Sequence, residues 1–521
     1  MESARILRDA TKLFGAQVAG GAISLVFSAW LVRALSEKEL ALYPVLGLCV
    51  GFTLAASGLG LSMSQQRLIP ESLAAGREAQ ARGIARSCFW VNVWTALALA
   101  ALAAVIAPQL SRWLLKTPDF TGVMRALAPS IFLGAFAGQL GFLLQATNQF
   151  GQLSINRLVS GSLGIILAVP CYHALGLAGL VIAMTLAPLA AAVLSLIALR
   201  SFLFGGEAEA VSTAELVRSA VPFFGTSVIT FLNTNADSLL LATLTTPEKL
   251  ATYYVAYKFV GYLFHFANSG FRVLLTKLGQ LKAAGSGRVA ASFTKASRYV
   301  FLFLVPVSGL LAVLSPITIR LYAGPRYQSA IPILALLCLY MLVFMLYGLH
   351  RFYIFNLAPP AETFKLQLVT TCLTLAATAV AVHYWGGLGA AGGQTVALVL
   401  AGALGWFMLG KVVRVRYDLS GLRVALIALA AAAPPMLAGQ LLGHSTASAL
   451  AGIAVGSVIF LAIFVRLISQ RDAEILRHYL PWNTWRIVLA LALVWRERGP
   501  EPEPAPAPAL NPTTPYAEGE S

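Results

Sequence analysis

Long apolar stretches constrain this chain more than any other feature. Leu97 to Ile106, Ile165 to Ala174 and Leu422 to Ala433 are nearly uninterrupted by charge, and each sits inside a longer segment of similar character. A helix of about 20 apolar residues crosses roughly 30 Å of hydrocarbon. Inside lipid every backbone N–H and C=O needs an internal partner, which makes the helix the default solution. Barrel strands alternate apolar and polar residues, and these runs do not. Composition agrees. Of 521 residues, 58% are hydrophobic and only 11% charged, against about a quarter charged in soluble domains. A chain so long and so poor in charge cannot cover a water-facing surface. The fold class is therefore all-α and polytopic.

Hydropathy places fourteen candidate spans, at 13–34, 40–63, 86–107, 126–147, 155–173, 177–199, 219–245, 250–276, 299–321, 329–354, 364–384, 388–410, 422–441 and 447–468. With the N-terminus in the cytoplasm, 27 Lys and Arg fall on the inner side and 8 on the outer, with Lys258 and Arg272 inside a span. That asymmetry is a positive-inside signal and puts both termini in the cytoplasm. The net charge of +16 has the same origin and implies no nucleic-acid partner. Met1 to Lys12 is charged and amphipathic, and Leu13 to Val32 is long enough to span. A retained first helix is therefore expected rather than a cleaved signal. The five cysteines lie in or beside apolar runs without metal-ligand spacing, and are read as packing residues.

The chain repeats itself. A shift of 210 residues brings Phe14-Gly15 onto Phe224-Gly225, Leu40-Ala41-Leu42-Tyr43 onto Leu250-Ala251-Thr252-Tyr253, and Gly51 onto Gly261. Each region is a pair of spans joined by a short charged turn and followed by a basic loop. Six spans separate the two starts, so the copies run parallel, as in transporters whose lobes rock around a central substrate. The expected organisation is a six-helix lobe over 1–200, a second over 201–410, and two further spans over 411–470. An interfacial helical segment over 471–498 follows, with Trp482, Trp485 and Trp495, and then a disordered Pro-rich tail over 499–521.

Charges within a membrane are costly and usually functional. The eighth span carries Lys258, Gly261, Tyr262, His265, Ser269 and Arg272, at spacings that share one helical face. Lys258 and Arg272 lie about 21 Å apart along the axis, a cationic stripe able to hand an anion from one leaflet to the other. The competing reading is that both cations snorkel to opposite surfaces, and that His265 is a hydrogen-bonded packing residue. The seventh span aligns Thr226, Thr230, Asn233, Thr234 and Asp237. Asp237 and Lys258 flank the turn near Pro247 at similar depth, so a salt bridge is expected, either structural or a gate. Asn233 and Asp237 are alternatively an ion-coupling site. The second span aligns Thr53, Ser57, Gly60, Ser64 and Arg67, and the tenth aligns Tyr340, Tyr347 and Arg351. Arg67 and Arg351 are candidate substrate contacts or ordinary interface residues. No phosphate-loop pattern, no His-Glu-x-x-His motif and no large loop for a catalytic domain is found. The reading is a transporter without cofactor, metal or catalytic residues.

Leu31-Val32-Arg33-Ala34-Leu35-Ser36-Glu37-Lys38-Glu39-Leu40-Ala41-Leu42-Tyr43, followed by Gly58-Leu59-Gly60-Leu61 and Arg67-Leu68-Ile69-Pro70, resembles the start of the Wzx-type polysaccharide flippases of the multidrug/oligosaccharidyl-lipid/polysaccharide exporter superfamily. The family commonly has Gly where this chain has Leu42. The resemblance implies two six-helix lobes, two additional helices and a central cationic cavity. It implies an undecaprenyl-pyrophosphate-linked oligosaccharide as substrate and surface polysaccharide biosynthesis (O-antigen, capsule or exopolysaccharide) as the role. It also implies membrane lipid and the polymerase machinery as partners, and a cell inner membrane location. A peptidoglycan-precursor translocase or a drug exporter of the same superfamily is the alternative, and a membrane polysaccharide ligase a more distant one. The sugar, the coupling ion and the oligomeric state are not written in the sequence.

Overall fold

The computed structural model describes residues 24–261 and 286–441, with position 21 and parts of 451–459. Among these residues all regular structure is helical, apart from one 3-10 turn at Pro325–Tyr327. Eight helices are long and apolar enough to cross a membrane: Glu37–Ser57, Glu78–Val105, Thr121–Ala146, Phe150–Leu175, Leu177–Phe204, Gly287–Val313, Ala330–Leu357 and Ala361–Val412. The last range, 52 residues long, is two helices that meet at Gly386, whose φ of 55° no helix contains. It therefore holds the two spans expected at 364–384 and 388–410. The expected spans at 13–34, 250–276 and 447–468 lie partly or mainly outside the described residues, as do the tail and the interfacial segment.

We number the helices α1 (Ser24–Ala34), α2 (Glu37–Leu40), α3 (Leu42–Ser57), α4 (Leu61–Ala74), α5 (Glu78–Val105), α6 (Ala107–Leu114), α7 (Thr121–Ala126), α8 (Ala128–Ala146), α9 (Phe150–Leu175), α10 (Leu177–Phe204), α11 (Thr213–Leu244), α12 (247–261), α13 (Ser286–Val313), α14 (Ser315–Ala323), α15 (Ala330–Leu357), α16 (Pro360–Val412) and α17 (Ser420–Leu441).

The structure divides into two compact units. The first takes Met1–Ser269, Ile319–Leu337 and Phe364–Leu398, and the second Gly270–Thr318, Cys338–Thr363 and Val399–Ser521. In the first, α4, α5, α8 and α10 close around Leu61, Ile69, Ile84, Cys88, Leu140 and Leu199, all buried. Each such side chain contributes about 1.5–3 kcal/mol when removed from water, but in lipid the drive shifts to close packing and internal polar satisfaction. In the second unit α13 packs along α17 through Phe301, Val305 and Ala425. At its edge His350 stacks on Phe293, lies beside Trp406 and shares a short hydrogen bond with the Tyr417 hydroxyl.

The segments that the 210-residue shift aligns each begin a helix. Ser36 caps α2 by accepting from the Glu39 amide, while Glu39 accepts from the Ser36 amide. Such a box satisfies two of the N–H groups that a helix start leaves open. The Leu40 amide donates to the Ser36 carbonyl at 2.8 Å, and 210 residues on the Leu250 amide donates to the Thr246 carbonyl at 3.2 Å. Leu40, Ala41, Leu250 and Ala251 are all fully buried. The Tyr43 and Tyr254 rings lie 6.5 Å apart, so the two helix starts pack near one another within the first unit.

The second expected span is not one helix. It breaks between α3 and α4, where Leu59 and Gly60 have φ of 45° and 84°. Gly60 is required twice over. L-residues avoid that φ, and a Cβ there would overlap the Ala220 carbonyl oxygen of α11. Polar side chains gather at the break. Ser62 donates to Gln139 Oε1 at 2.9 Å, Gln139 donates to the Leu54 carbonyl at 3.3 Å, and Thr95 donates to the Ser57 carbonyl. A broken helix frees backbone groups that need such partners inside a membrane.

Candidate functional site

Asp237 on α11 is 1% exposed. A carboxylate so placed needs donors, and Tyr253 and Ser238 supply them. The Tyr253 hydroxyl donates to Oδ2 at 2.6 Å and the Ser238 amide to Oδ1 at 2.7 Å. Short bonds to a charged acceptor are the strong kind. Tyr253 is fully buried and stacks on Tyr257 at 5.9 Å. Both come from α12, four residues apart and therefore on one helical face. The α11–α12 hairpin thus folds a phenol back onto the acid sixteen residues earlier.

Lys258 occupies the next position on α12. Its ammonium lies over the Tyr254 ring, 4.9 Å from the centroid. Sequence reasoning expects Lys258 against Asp237; the α12 side chain hydrogen-bonded to the carboxylate is that of Tyr253. Tyr253 and Tyr257 share the face toward Asp237, while Tyr254 and Lys258 share the neighbouring face, one residue around. The turn reports depth, but facing requires knowing which stripe of α12 meets α11.

α16 approaches the hairpin at two points. Gln367 donates to the Thr230 hydroxyl at 2.6 Å. A Cβ on Gly387 would lie 3.8 Å from the Tyr253 Cβ. These two contacts bracket Asp237. Seven residues beyond Thr230 is Asp237, and seven beyond Gln367 is Thr374, which sets them at similar height on neighbouring helices. Thr374, Thr378 and Gln394 are buried, and the Thr374 and Thr378 hydroxyls, Gln394 Oε1 and Asn233 Nδ2 lack a hydrogen-bond partner. Uncommitted polar atoms at that burial are rare unless a site uses them. Asn233, expected from sequence, lies one turn before Asp237 on α11. Sequence reasoning misses Thr374, Thr378 and Gln394. A signal for the first two exists, since Gln367, Thr371, Thr374 and Thr378 repeat the spacing of the polar face on α11.

The remaining candidates separate. Arg67 is exposed and pairs with Glu71 one turn on at 3.0 Å, a helix-surface pair of small energy. The break at Leu59 and Gly60 takes Arg67 off the straight stripe expected with Thr53 and Ser57, and Thr53, Ser57 and Ser64 are buried. Arg351 is exposed on α15, in the second unit. Tyr347 is buried and Tyr340 packs on Phe344 at 6.0 Å. His265 and Arg272 lie outside the described residues, as do Tyr262 and Ser269.

Comparison with known proteins places this arrangement. A solved structure described as the lipid II flippase MurJ in an inward closed conformation superposes with a TM-score of 0.70 at 15% identity, covering 87% of this chain and 99% of the other. An inward-facing multidrug resistance MATE family transporter of the MOP superfamily gives 0.61 at 13% identity, covering 76% and 97%. A single-substitution mutant of the Vibrio cholerae MATE transporter VcmN gives 0.58 at 14% identity, covering 78% and 97%. At such identities the likeness is one of fold. No curated protein matches the chain. A family model described as polysaccharide biosynthesis protein matches residues 31–332, more than half of the sequence, and the chain belongs to that family.

Proposed function

We propose that the protein flips an undecaprenyl-pyrophosphate-linked oligosaccharide repeat unit across the cell inner membrane for surface polysaccharide biosynthesis. The family membership and the flippase-like fold support the substrate class. The observation that carries the mechanism is the α11–α12 hairpin, which sets an intramembrane cation and a buried acid on adjacent faces. The Lys258 ammonium rests on a π face, an attraction of about 0.5–2 kcal/mol. A pyrophosphate oxygen offers a charge-assisted bond and competes well for it. Arg272, fourteen residues further along the sequence, is the second cation of the path. Asp237 and Asn233 form the coupling element: capture or loss of a cation at the carboxylate reorganises the Tyr253 bond and with it the face that presents Lys258. The two lobes over 1–200 and 201–410 alternate access, and both termini stay cytoplasmic.

The test is Lys258→Ala and Arg272→Ala, singly and together, in the native host, after confirming insertion. Loss of surface polymer with accumulation of inward-facing lipid-linked repeat units supports the stripe. Normal export by the well-expressed double variant removes it.

A second reading rests on the superposition that covers 99% of a lipid II flippase chain: translocation of the peptidoglycan precursor. Rescue of cells depleted of their own lipid II flippase favours that reading, and failure to rescue while restoring surface polymer favours the first.

A further inference from the structure

Residues nearly 290 positions apart are stitched together at the turn after α1. Arg33 donates from Nε to the Tyr322 carbonyl at 3.2 Å and from Nη2 to the Leu321 carbonyl. The Tyr322 hydroxyl donates to Ser28 Oγ at 2.8 Å. In the reverse direction Arg326 donates to the Leu35 carbonyl at 3.1 Å and to Glu37 Oε1 at 3.2 Å. The Tyr322 ring also meets the Phe259 ring edge-on at 4.6 Å. All of these residues belong to the first unit.

The chemistry is that of a clasp between chain turns. Leu321 and Tyr322 end α14, where carbonyls lack helical partners and carry the negative end of the helix dipole. A guanidinium is the side chain best shaped to bridge two such carbonyls. Arg326 does the same for the open turn after α1 and adds an ion pair whose side chains are 41% and 32% exposed. Beneath this rim Ser28 and Tyr322 are only 3% and 5% exposed. The rim is polar and reachable by water, so each bond has a solvent replacement when it opens. The layer below is sealed only while the rim is closed. By the positive-inside count both turns face away from the cytoplasm.

We propose that Arg33 and Arg326 form an outer latch, closed in this structure, that must open for the flipped lipid-linked sugar to leave. The proposal rests on the transport reading for its cargo, but the latch itself is testable without cargo.

In a full-length background with the five native cysteines replaced, Ser28→Cys is exposed to a membrane-impermeant thiol reagent from the outer side. Slow labelling is expected with the latch intact. Losing a hydrogen bond between a charged and a neutral group shifts an equilibrium by roughly tenfold or more, so Arg33→Ala or Arg326→Ala is expected to speed labelling about tenfold. Arg33→Lys, which keeps the charge without the planar fork, is expected to fall between. Unchanged labelling in the well-inserted Arg33→Ala, Arg326→Ala double variant overturns the latch. In a second arm, Glu37→Cys and Arg326→Cys are bridged by a short cleavable bifunctional reagent. Export lost on bridging and recovered on cleavage supports the latch, and export undiminished while bridged overturns it. If labelling behaves as expected but the unbridged chain moves no lipid-linked sugar, the latch stands and the transport reading fails.

Discussion

Replacing Tyr253 by Phe removes one oxygen and one hydrogen bond, and tests whether the buried acid depends on its phenol. The bond is 2.6 Å long, and both residues are 1% exposed. A hydrogen bond to a charged group contributes about 1.5–3 kcal/mol. The Ser238 amide is already bound to the other oxygen. Tyr253→Phe should therefore destabilise the folded chain by about 1.5–3 kcal/mol. Asp237→Asn keeps the shape and an acceptor but removes the charge, so the same Tyr253→Phe change in that background should cost only about 0.5–1.5 kcal/mol. The assay is a double-mutant cycle by denaturant unfolding of the purified protein in detergent, with wild type, both singles and the double. A coupling energy of about 1 kcal/mol or above is expected. Additivity within about 0.5 kcal/mol, the behaviour of independent sites, refutes the claim that the phenol holds the carboxylate.

Further outcomes follow from other positions. Gly60→Ala places a side chain at φ 84° and into the Ala220 carbonyl, so yield of folded protein should fall sharply. Gly76→Ala, at φ 72° with open space around it, should cost only about 1–2 kcal/mol. Arg67→Ala breaks an exposed surface pair and should change unfolding free energy by less than about 1 kcal/mol. Tyr327 lies outside the spans, and burial pushes its hydroxyl up to about 12, with Arg326 opposing. Its stabilising contribution is therefore complete below the ordinary tyrosine value of about 10 and is lost as pH climbs to about 12. A thermal-stability profile flat up to about pH 9 and falling above about pH 10 is expected, and Tyr327→Phe should lessen that fall.

Much of this architecture is legible because a membrane punishes misplaced polarity. Apolar run lengths announce helices, and the described residues contain only helical regular structure. The two spans flanking Gly386 are separable in the sequence, and the non-helical backbone at Gly386 separates them in the structure. Ser36 and Thr246, which the 210-residue shift aligns, each head a helix start. Facing is less legible. A periodic list such as Thr53, Ser57, Gly60, Ser64 and Arg67 assumes an unbroken helix, and the left-handed residues Leu59 and Gly60 end that assumption. The partner of Asp237 on α12 is hard to read for a related reason. Equal depth is readable from the turn, but Tyr253 and Lys258 differ by more than a quarter turn in azimuth, and only packing decides which one meets α11. Tyr253 itself stands in the repeat motif, where its match to Tyr43 marks it as structural without revealing its acid partner. The latch is invisible for a plainer reason: no local pattern reports that Arg33 reaches carbonyls at Leu321 and Tyr322.

The most direct test of the central claim is a flipping assay with the purified full-length protein in vesicles. The cargo is a fluorescent undecaprenyl-pyrophosphate oligosaccharide, read by its accessibility to an impermeant quencher, with lipid II in parallel. The account expects the oligosaccharide lipid to equilibrate across the bilayer with wild-type protein and to slow roughly tenfold or more with Lys258→Ala, the loss of about one charge-assisted contact. Wild-type vesicles in which the oligosaccharide lipid stays on one side while lipid II crosses would contradict it.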